Sequence, residues 1–303
     1  MTIAINEASR RISVAIRPVA GSFAGEVSGI DLTGPVAADD LAQIEAGMDR
    51  HAVLVFRAQP LTDDQQRDFT RNFGTLEQAP GGHVAKLDER RLPLDMQDAG
   101  NLDKDQRVFA RHDRRRMFNL GNRLWHSDSS YRAVPAKYSL LSGRIVAAQG
   151  GHTQFADMRA AYDALDTATK TEIEDLICEH SLMFSRGLLG FEVTEEERAM
   201  FRPVRQRLVR THPATGRKSL FLSAHAGGIV GWPVPEARAF LRDLTEHATQ
   251  PKFVYSHKWQ PYDLVIWDNR CTMHRVTRFD ETQPRDMRRT TVAGDAMTVA
   301  QAA

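Results

Sequence analysis

A succession of short strand-like segments near the end of the chain constrains the fold most. Between residues 252 and 294, runs rich in β-branched and aromatic residues follow one another around turns such as QPYD: KFVYSHKW, DLVIWDN, CTMHRV and RRTTVAG. Earlier runs of the same kind are ISVAIRPV, AVLVFR and AKYSLLSGRIV. Because these strands do not alternate regularly with helices, they predict a mainly β fold with flanking helices, as a β-barrel or a double-sheet jelly roll.

Helical periodicity is confined to four segments: DDLAQIEAGMDRH, TDDQQRDFTRNFG, TATKTEIEDLICEH and EARAFLRDLTEHA. Thr62 is predicted to cap the second of them. The third is predicted to place Ile173, Leu176 and Ile177 inward and to be followed by a strand, HSLMFSR. RQRLVRTHP and KSLFLSAH around the turn ATGR predict a hairpin. We expect the helices to pack outside a sheet.

Length and composition favour a single domain over residues 1–303. With 42% hydrophobic residues the chain can bury a large core, and β-barrels of this size commonly form one unit. Residues 78–120 show little periodicity and carry many charges, including the run RHDRRR at 111–116. They are predicted to form either a solvated loop or an active-site lid.

Charge and cysteine content narrow the partners and the compartment. A net charge of +1 gives no field that would attract nucleic acid or a membrane, so a small-molecule partner is favoured. Cys178 and Cys271 are far apart and lack CxxC spacing, which argues against a disulfide framework and a thiolate zinc site. The first thirty residues lack the apolar core of a signal peptide. We therefore expect a soluble, cytoplasmic protein.

The segment LWHSDSS carries the main candidate for metal chemistry. His126 and Asp128 are two residues apart, which on a β-strand places both side chains on one face. His274, from a distant strand, would complete a set of two histidines and one carboxylate, which leaves three coordination positions open and suits non-haem Fe(II). An HxD pair also arises by chance in a chain with eleven histidines, so the surrounding motifs have to decide whether this pair binds a metal.

Two arginines follow His274 at distances of eleven and fifteen residues, at Arg285 and Arg289. A planar guanidinium binds a carboxylate through two hydrogen bonds and keeps its charge, so either arginine could hold the far carboxylate of an iron-bound oxidant. Together with Arg288 they also form a basic cluster, for which a solvated face is the usual explanation.

WHSDSS, GGHTQF, WDNRCTMHR and RDMRRTTVAG, in this order and at these separations, resemble the Fe(II)/2-oxoglutarate-dependent taurine dioxygenase family. The likeness extends from about residue 20 to residue 295. WHSDSSYR, FADMRAAYDAL, RTHPATGRKSLF, SAHA and EHATQPKFVYSHKW are similar to its dichlorophenoxyacetate dioxygenase branch. The resemblance implies a double-stranded β-helix, iron on His126, Asp128 and His274, and a homo-oligomer.

The resemblance also implies roles for individual residues. Thr153 and Arg285 would bind 2-oxoglutarate, and Trp267 would line that pocket. Arg289 would hold the anionic group of the primary substrate, and Asn122 matches a polar position on the substrate side. Taken singly, a tryptophan in an apolar strand is more often a core residue, and Thr153 would pass as an ordinary strand threonine.

A second basic group would help Arg289 to hold a carboxylate. His212 and His225 lie on either side of the hairpin, and His225 is favoured because SAHA matches a substrate-facing segment of this branch. A buried structural histidine is the alternative. His83 and Lys86, in the loop after FGTLEQ, are further candidates.

The implied reaction couples decarboxylation of 2-oxoglutarate with O2 to hydroxylation of the carbon beside an ether oxygen. The hemiacetal would collapse to a phenol and a 2-oxoacid, so the substrate would be a small anionic aromatic molecule. Three alternatives stay open: a taurine, sulfonate or alkyl sulfate dioxygenase, a zinc hydrolase using the same ligands, and a non-catalytic jelly-roll binding protein.

Overall fold

A computed structural model of the chain describes residues 14–78 and 87–301. Its strands are β1 Ala15–Pro18, β2 Gly25–Ser28, β3 Val53–Phe56, β4 Gln97–Asp98, β5 Tyr138–Ile145, β6 Thr153–Asp157, β7 Ile177–His180, β8 Val204–Arg207, β9 Val209–Thr211, β10 Lys218–Leu220, β11 Ala226–Ile229, β12 Val254–His257, β13 Leu264–Asp268, β14 Thr272–Val276 and β15 Asp286–Thr291. Its α-helices are α1 Ala38–His51, α2 Asp63–Arg71, α3 Arg114–Asn119, α4 Met158–Asp163, α5 Thr167–Ile173, α6 Leu182–Gly187, α7 Glu195–Met200 and α8 Val234–Ala248. Short 3-10 helices cover Leu87–Glu89, Leu120–Arg123 and Pro251–Phe253.

Two sheets pack face to face and define the centre of the molecule. The larger has the order β1-β2-β3-β13-β5-β15-β4, and the smaller has the order β12-β6-β14. Their inner faces share one apolar cluster, in which Phe155 of β6 lies 5.4 Å from Trp267 of β13, ring centre to ring centre. The mainly β, double-sheet architecture predicted from the strand-rich sequence is confirmed, and the sheets do not close into a barrel.

Strand alternation sorts the core into layers. Along β13, Leu264 and Ile266 join the cluster formed with the N-terminal helices, whereas Val265 and Trp267 point between the sheets. The outer face of the smaller sheet is covered by α4 and α8, where Met273 of β14 packs in the same cluster as the helix residues. The helices therefore lie outside the sheets, as predicted.

The N-terminal and C-terminal helices form where the sequence places them. Thr62 caps α2 through a capping box with Gln65, which confirms the predicted cap. The hairpin around ATGR is also present, because β9 pairs with β10. No helix in the described parts of the chain combines the length and the apolar character needed to cross a bilayer.

The prediction for residues 174–186 is wrong. Helix α5 ends at Ile173, residues 177–180 form β7, and the segment expected to be a strand is helix α6. β7 is held between β8 and β11, so sheet pairing prevails over the helical spacing of its apolar residues. Ser181 caps α6 by accepting a hydrogen bond from the Phe184 backbone N–H.

Candidate metal centre and its two cavities

The two histidines of the candidate centre are joined through their backbones. His126 and His274 form an isolated antiparallel bridge, with N···O distances of 3.0 and 2.8 Å in the two directions. The expectation that His126 and Asp128 share a strand is wrong, because residues 128–130 form a turn. Ser129 adopts a positive φ of 54° there, so the chain changes direction directly after Asp128.

The three side chains converge as predicted. The Nε2 atom of His126 lies 3.8 Å from Oδ1 of Asp128, and the Nε2 atom of His274 lies 3.7 Å from Oδ2. All three ligand atoms fall within 4.8 Å of one another, and all three residues are buried. Two nitrogen donors and one carboxylate at these separations are a set that one divalent ion can bridge, with coordination positions left for other ligands.

Burial and nearby charges keep the three ligands in the protonation states that bind a cation. Burial lowers the pKa of His126 to about 4, and burial together with the neighbouring His126 holds the pKa of His274 well below its usual range. Burial alone would raise the pKa of Asp128, but the charge of Arg289 and the two imidazoles outweigh it and lower this pKa to about 2. Near neutral pH the centre therefore presents two neutral imidazoles and one carboxylate.

Hydrogen bonds orient two of these ligands, His126 and Asp128, and sequence reasoning missed the residues that make them. His126 Nδ1 lies 2.7 Å from the Leu124 carbonyl oxygen, which fixes the tautomer with Nε2 free to bind a metal. Ser139 donates to Oδ2 of Asp128 at 2.7 Å and accepts from the side-chain amide of Asn269 at 2.9 Å. Asn269 belongs to the motif WDN, which was the only available signal for this support.

A smaller cavity, of about 40 Å³, adjoins the centre between the sheets. Thr153, Trp267 and Arg285, predicted to serve 2-oxoglutarate, all line it together with His274. Trp267 is fully buried and donates to Asn269, so it is both a core residue and part of the cavity wall. The Thr153 hydroxyl accepts from Trp259 Nε1 at 2.9 Å, which leaves its own proton free to be donated.

Arg285 carries a buried positive charge. Its Nη1 donates to the Ala99 carbonyl at 2.8 Å, and its guanidinium lies 5.0 Å from the centre of the Phe279 ring. Burial lowers its pKa to about 10. Within the described residues no carboxylate forms an ion pair with it. Because a buried, unpaired charge is costly, the cavity is suited to an anion.

A larger cavity, of about 180 Å³, opens on the other side of the centre. Asn122, His126 and Arg289 line both cavities and so mark the junction between them. Residues from the segment 88–120 form one wall of the larger cavity, including Phe109 and Phe118. This segment is more ordered than a solvated loop, because β4 pairs with β15 and Asp113 caps α3.

Arg289 and His225, which are predicted to hold the substrate's charge, both line the larger cavity. Arg289 donates to Oδ1 of Asp128 at 2.6 Å and also to the side-chain oxygen of Gln97, so both terminal nitrogens are engaged, whereas its Nε has no partner among the described residues. His225 lines the larger cavity, but burial and the nearby charge of Arg186 hold its pKa well below the usual range. His225 is therefore a neutral hydrogen-bonding group and does not provide a second cation.

The remaining candidates lie elsewhere. His212 bonds Asp268 at 3.0 Å inside a buried ionic cluster, in which Arg270 also contacts that carboxylate at 2.7 Å. The ligand-like group His212, Asp268 and Cys271 is therefore an ion-pair network that already neutralises its acid. His83 and Lys86 fall outside the described residues.

Comparison with known proteins agrees with this geometry. Residues 15–291 match the family described as "Taurine catabolism dioxygenase TauD, TfdA family". The "Alpha-ketoglutarate-dependent 2,4-dichlorophenoxyacetate dioxygenase" of Cupriavidus pinatubonensis is 45% identical over 290 residues, covering 94% of this chain and 100% of that protein. The "(S)-phenoxypropionate/alpha-ketoglutarate-dioxygenase" of Sphingobium herbicidovorans is 38% identical over 289 residues, covering 92% and 95%.

A solved structure extends the likeness to three dimensions. The crystal structure of AAD-2 in complex with Mn(II) and N-oxalylglycine has a TM-score of 0.92 and 60% sequence identity to this chain, covering 95% of this chain and 100% of the other. A double-sheet jelly roll with two imidazoles and one carboxylate at an open centre defines the class of non-haem metal oxygenases. Within that class, the chain belongs to the TauD/TfdA dioxygenase family.

Proposed function

We propose that the protein is an Fe(II)- and 2-oxoglutarate-dependent dioxygenase that hydroxylates the carbon next to the ether oxygen of an aryloxyalkanoate. The products are a phenol and a 2-oxoacid, together with succinate and CO2. The similarity over nearly the whole chain to dioxygenases named for dichlorophenoxyacetate and phenoxypropionate carries the choice of substrate. The reaction class is supported by the three-ligand centre that opens on two cavities.

His126, Asp128 and His274 would hold the iron, which with 2-oxoglutarate and O2 supplies the oxidising chemistry when bound. In the smaller cavity, Arg285 would bind the far carboxylate of 2-oxoglutarate and Thr153 would donate its free hydroxyl proton to the same group. N-oxalylglycine, present in the AAD-2 structure, has the two carboxylates of 2-oxoglutarate with an N–H in place of one methylene group. The fully buried Trp267 would keep water out of this pocket.

The larger cavity suits an aromatic body with one charged end. Its apolar wall is formed by Leu92, Leu102, Phe109, Phe118 and Leu182. Asn122 and Arg289 lie where this cavity meets the smaller one, so a substrate held there would present its C–H bonds toward the centre. No side chain needs to act as a general base, because placement is the main contribution of the protein.

A panel of anions tests the proposal. Protein loaded anaerobically with Fe(II) would be mixed with 2-oxoglutarate and O2, and succinate would be measured with phenoxyacetate, both enantiomers of 2-phenoxypropionate, taurine and an alkyl sulfate. We expect succinate and phenol in equal amounts with a phenoxy acid, and little turnover with taurine. Zinc-loaded protein should be inactive.

Each alternative predicts another pattern. Succinate with taurine or the alkyl sulfate, and none with phenoxy acids, would make the protein a sulfonate or sulfate-ester dioxygenase. Activity of the zinc form without O2 would indicate a hydrolase. Binding without any turnover would indicate a binding protein. We further propose a reducing, cytoplasmic location, supported by the two buried free thiols, Cys178 and Cys271.

A further inference from the structure

Arg186 is a second buried cation that has no carboxylate partner in the described parts of the chain, and it lies on the other side of the centre from Arg285. It lies on α6, is 6% exposed and lines the larger cavity. Its Nη1 donates to Ser185 Oγ at 3.1 Å, and its Nε has no hydrogen-bond partner among the described residues. Burial lowers its pKa to about 10, and the charge of Arg289 adds to this effect.

Apart from Arg285, the other buried arginines of the described chain have carboxylate partners. Arg159 binds Asp157 and Arg270 binds Asp268, in each case through a forked pair of hydrogen bonds. Arg91 lies at the larger cavity, but it contacts both Asp98 and Asp286. Folding therefore normally supplies a carboxylate to a buried guanidinium, as the cost of burying a charge requires.

The guanidinium of Arg186 is held in a defined position. It stacks on the Phe118 ring of α3, with Cζ 4.4 Å from the ring centre. Gly121 lies against it, since a Cβ atom built on Gly121 would fall 2.1 Å from Cζ of Arg186. Ser185 links Arg186 to His225, because the Ser185 hydroxyl also lies 2.9 Å from Nδ1 of His225.

We propose that Arg186 binds the carboxylate of the primary substrate and so makes the enzyme specific for anionic aryloxyalkanoates. This inference rests on the proposed function. Arg289 is a weaker candidate, because its charge is already paired with Asp128 through Nη1 and its Nη2 donates to Gln97, which leaves Nε without a partner among the described residues. Arg90, which also lines the cavity, is partly exposed and donates to three backbone carbonyls. Nη1 of Arg91 and Nε of Arg289 also lack hydrogen-bond partners in the described chain, but both guanidiniums are paired with carboxylates. Among the described residues, Arg186 is the buried guanidinium of this cavity that has a free donor and no carboxylate partner.

The test compares a charged ligand with a neutral one of nearly the same shape. Protein loaded anaerobically with Fe(II) and 2-oxoglutarate would be titrated calorimetrically with phenoxyacetate and with phenoxyacetamide. We expect Arg186→Met to weaken phenoxyacetate binding roughly 10- to 100-fold, the range for a lost hydrogen bond to a charged group. Phenoxyacetamide binding and the Kd for 2-oxoglutarate should change little, and Arg186→Lys should fall between the wild type and Arg186→Met.

Two further variants distinguish a loss of phenoxyacetate binding from a disturbance of the fold. Arg210→Met is a matched control, since Arg210 also stacks on a phenylalanine, at 4.6 Å from the Phe221 ring centre, but does not line the larger cavity. Gly121→Ala keeps the charge of Arg186 but displaces its guanidinium, so it should weaken phenoxyacetate binding as well. The double variant Gly121→Ala/Arg186→Met should bind phenoxyacetate only slightly more weakly than Arg186→Met alone, because both changes remove the same interaction.

The outcomes distinguish this inference from the proposed function. Unchanged phenoxyacetate binding in Arg186→Met, or an equal loss for phenoxyacetamide and 2-oxoglutarate, overturns the role of Arg186 alone. If the wild type binds taurine or an alkyl sulfate in place of phenoxyacetate, the proposed substrate is wrong, and the same comparison of Arg186→Met with that anion decides whether Arg186 is an anion site. A wild-type protein that binds none of these anions overturns both proposals.

Discussion

Arg285 and Arg289 are four residues apart but have different surroundings. Arg285 is buried without a carboxylate partner in the described chain, whereas Arg289 forms an ion pair with Asp128. Arg285→Met removes an unpaired buried charge, so we expect unchanged or higher stability of the metal-free protein and a KM for 2-oxoglutarate raised roughly 10- to 100-fold. Steady-state kinetics and urea denaturation measure the two effects.

Arg289→Met should instead act mainly on the primary substrate. It removes a cation at the junction of the cavities, so the KM for phenoxyacetate should rise while the KM for 2-oxoglutarate stays within a few-fold of the wild type. Because the variant also frees Asp128 from its ion pair, metal affinity should not fall, which a titration with Mn(II) checks. An exchange of the two KM effects between Arg285→Met and Arg289→Met would show that the roles are assigned the wrong way round.

At the residue scale, the sequence identified the ligands better than their surroundings. His126, Asp128 and His274 could be chosen because two histidines and one carboxylate are an iron ligand set and because they lie in motifs that resemble those of one family. Arg186 gave no such signal, because an arginine acquires a role from its burial and from the absence of a nearby carboxylate, and both depend on distant parts of the chain. Ser139 was missed for the same reason, since its contact with Asp128 spans a turn and a strand.

The glycine turn before β6 can be tested by comparison with a second glycine turn. Gly150 and Gly216 have nearly equal positive φ values, 69° and 68°. A Cβ at Gly150 would lie 2.0 Å from the carbonyl oxygen of Arg278, whereas at Gly216 nothing lies within 4 Å. Gly216→Ala should therefore cost only the left-handed backbone strain, roughly 1–2 kcal/mol.

Gly150→Ala should cost more, because the overlap with a backbone carbonyl adds roughly 1–3 kcal/mol to the same strain. The turn leads directly into β6, which begins at Thr153, so this variant should also raise the KM for 2-oxoglutarate. Urea denaturation and steady-state kinetics of both variants check the prediction. Equal destabilisation by Gly150→Ala and Gly216→Ala would mean that the Gly150 turn can move away from Arg278 at no cost in free energy.

At the element scale, strands and long amphipathic helices were predictable, but short connecting elements were not. Apolar alternation and the capping box carry local signals, which is why β13 and α2 formed as expected. The segment around His126 was expected to be a strand, yet only a single bridge to His274 forms before the chain turns. That turn depends on Ser129 adopting a positive φ, a conformation that its sequence does not announce.

The molecule as a whole places its site between two sheets that are each supported from outside by helices. The interior beside the smaller cavity is filled by the buried side chains of Phe155, Val265 and Trp267, so the centre rests on a packed apolar core. The wall contributed by residues 88–120 is attached through β4 and through ion pairs such as Arg114 with Glu197, at 2.6 Å. Closure of this segment as a lid and homo-oligomerisation stay predictions.

Arg186 and Arg285 have no carboxylate partner within residues 14–78 and 87–301, so anions that bind them should stabilise the whole folded molecule. A ligand that binds only the folded state stabilises it by about 2.7 kcal/mol at a concentration of 100 times its Kd. We expect Mn(II) alone to raise the Tm of the metal-free protein, and N-oxalylglycine to raise it further only when Mn(II) is present, because the metal and Arg285 together form its site.

Thermal unfolding of the wild type, Arg285→Met and Arg210→Met measures this coupling. Arg285→Met should keep the increment due to Mn(II) and lose most of the increment due to N-oxalylglycine, whereas Arg210→Met should keep both. Stabilisation by N-oxalylglycine without metal, or an undiminished increment in Arg285→Met, would place the anion site elsewhere. Phenoxyacetate should raise the Tm by a third increment, which Arg186→Met should abolish and Arg210→Met should leave unchanged. The reason is that phenoxyacetate would neutralise Arg186, whereas N-oxalylglycine would neutralise Arg285.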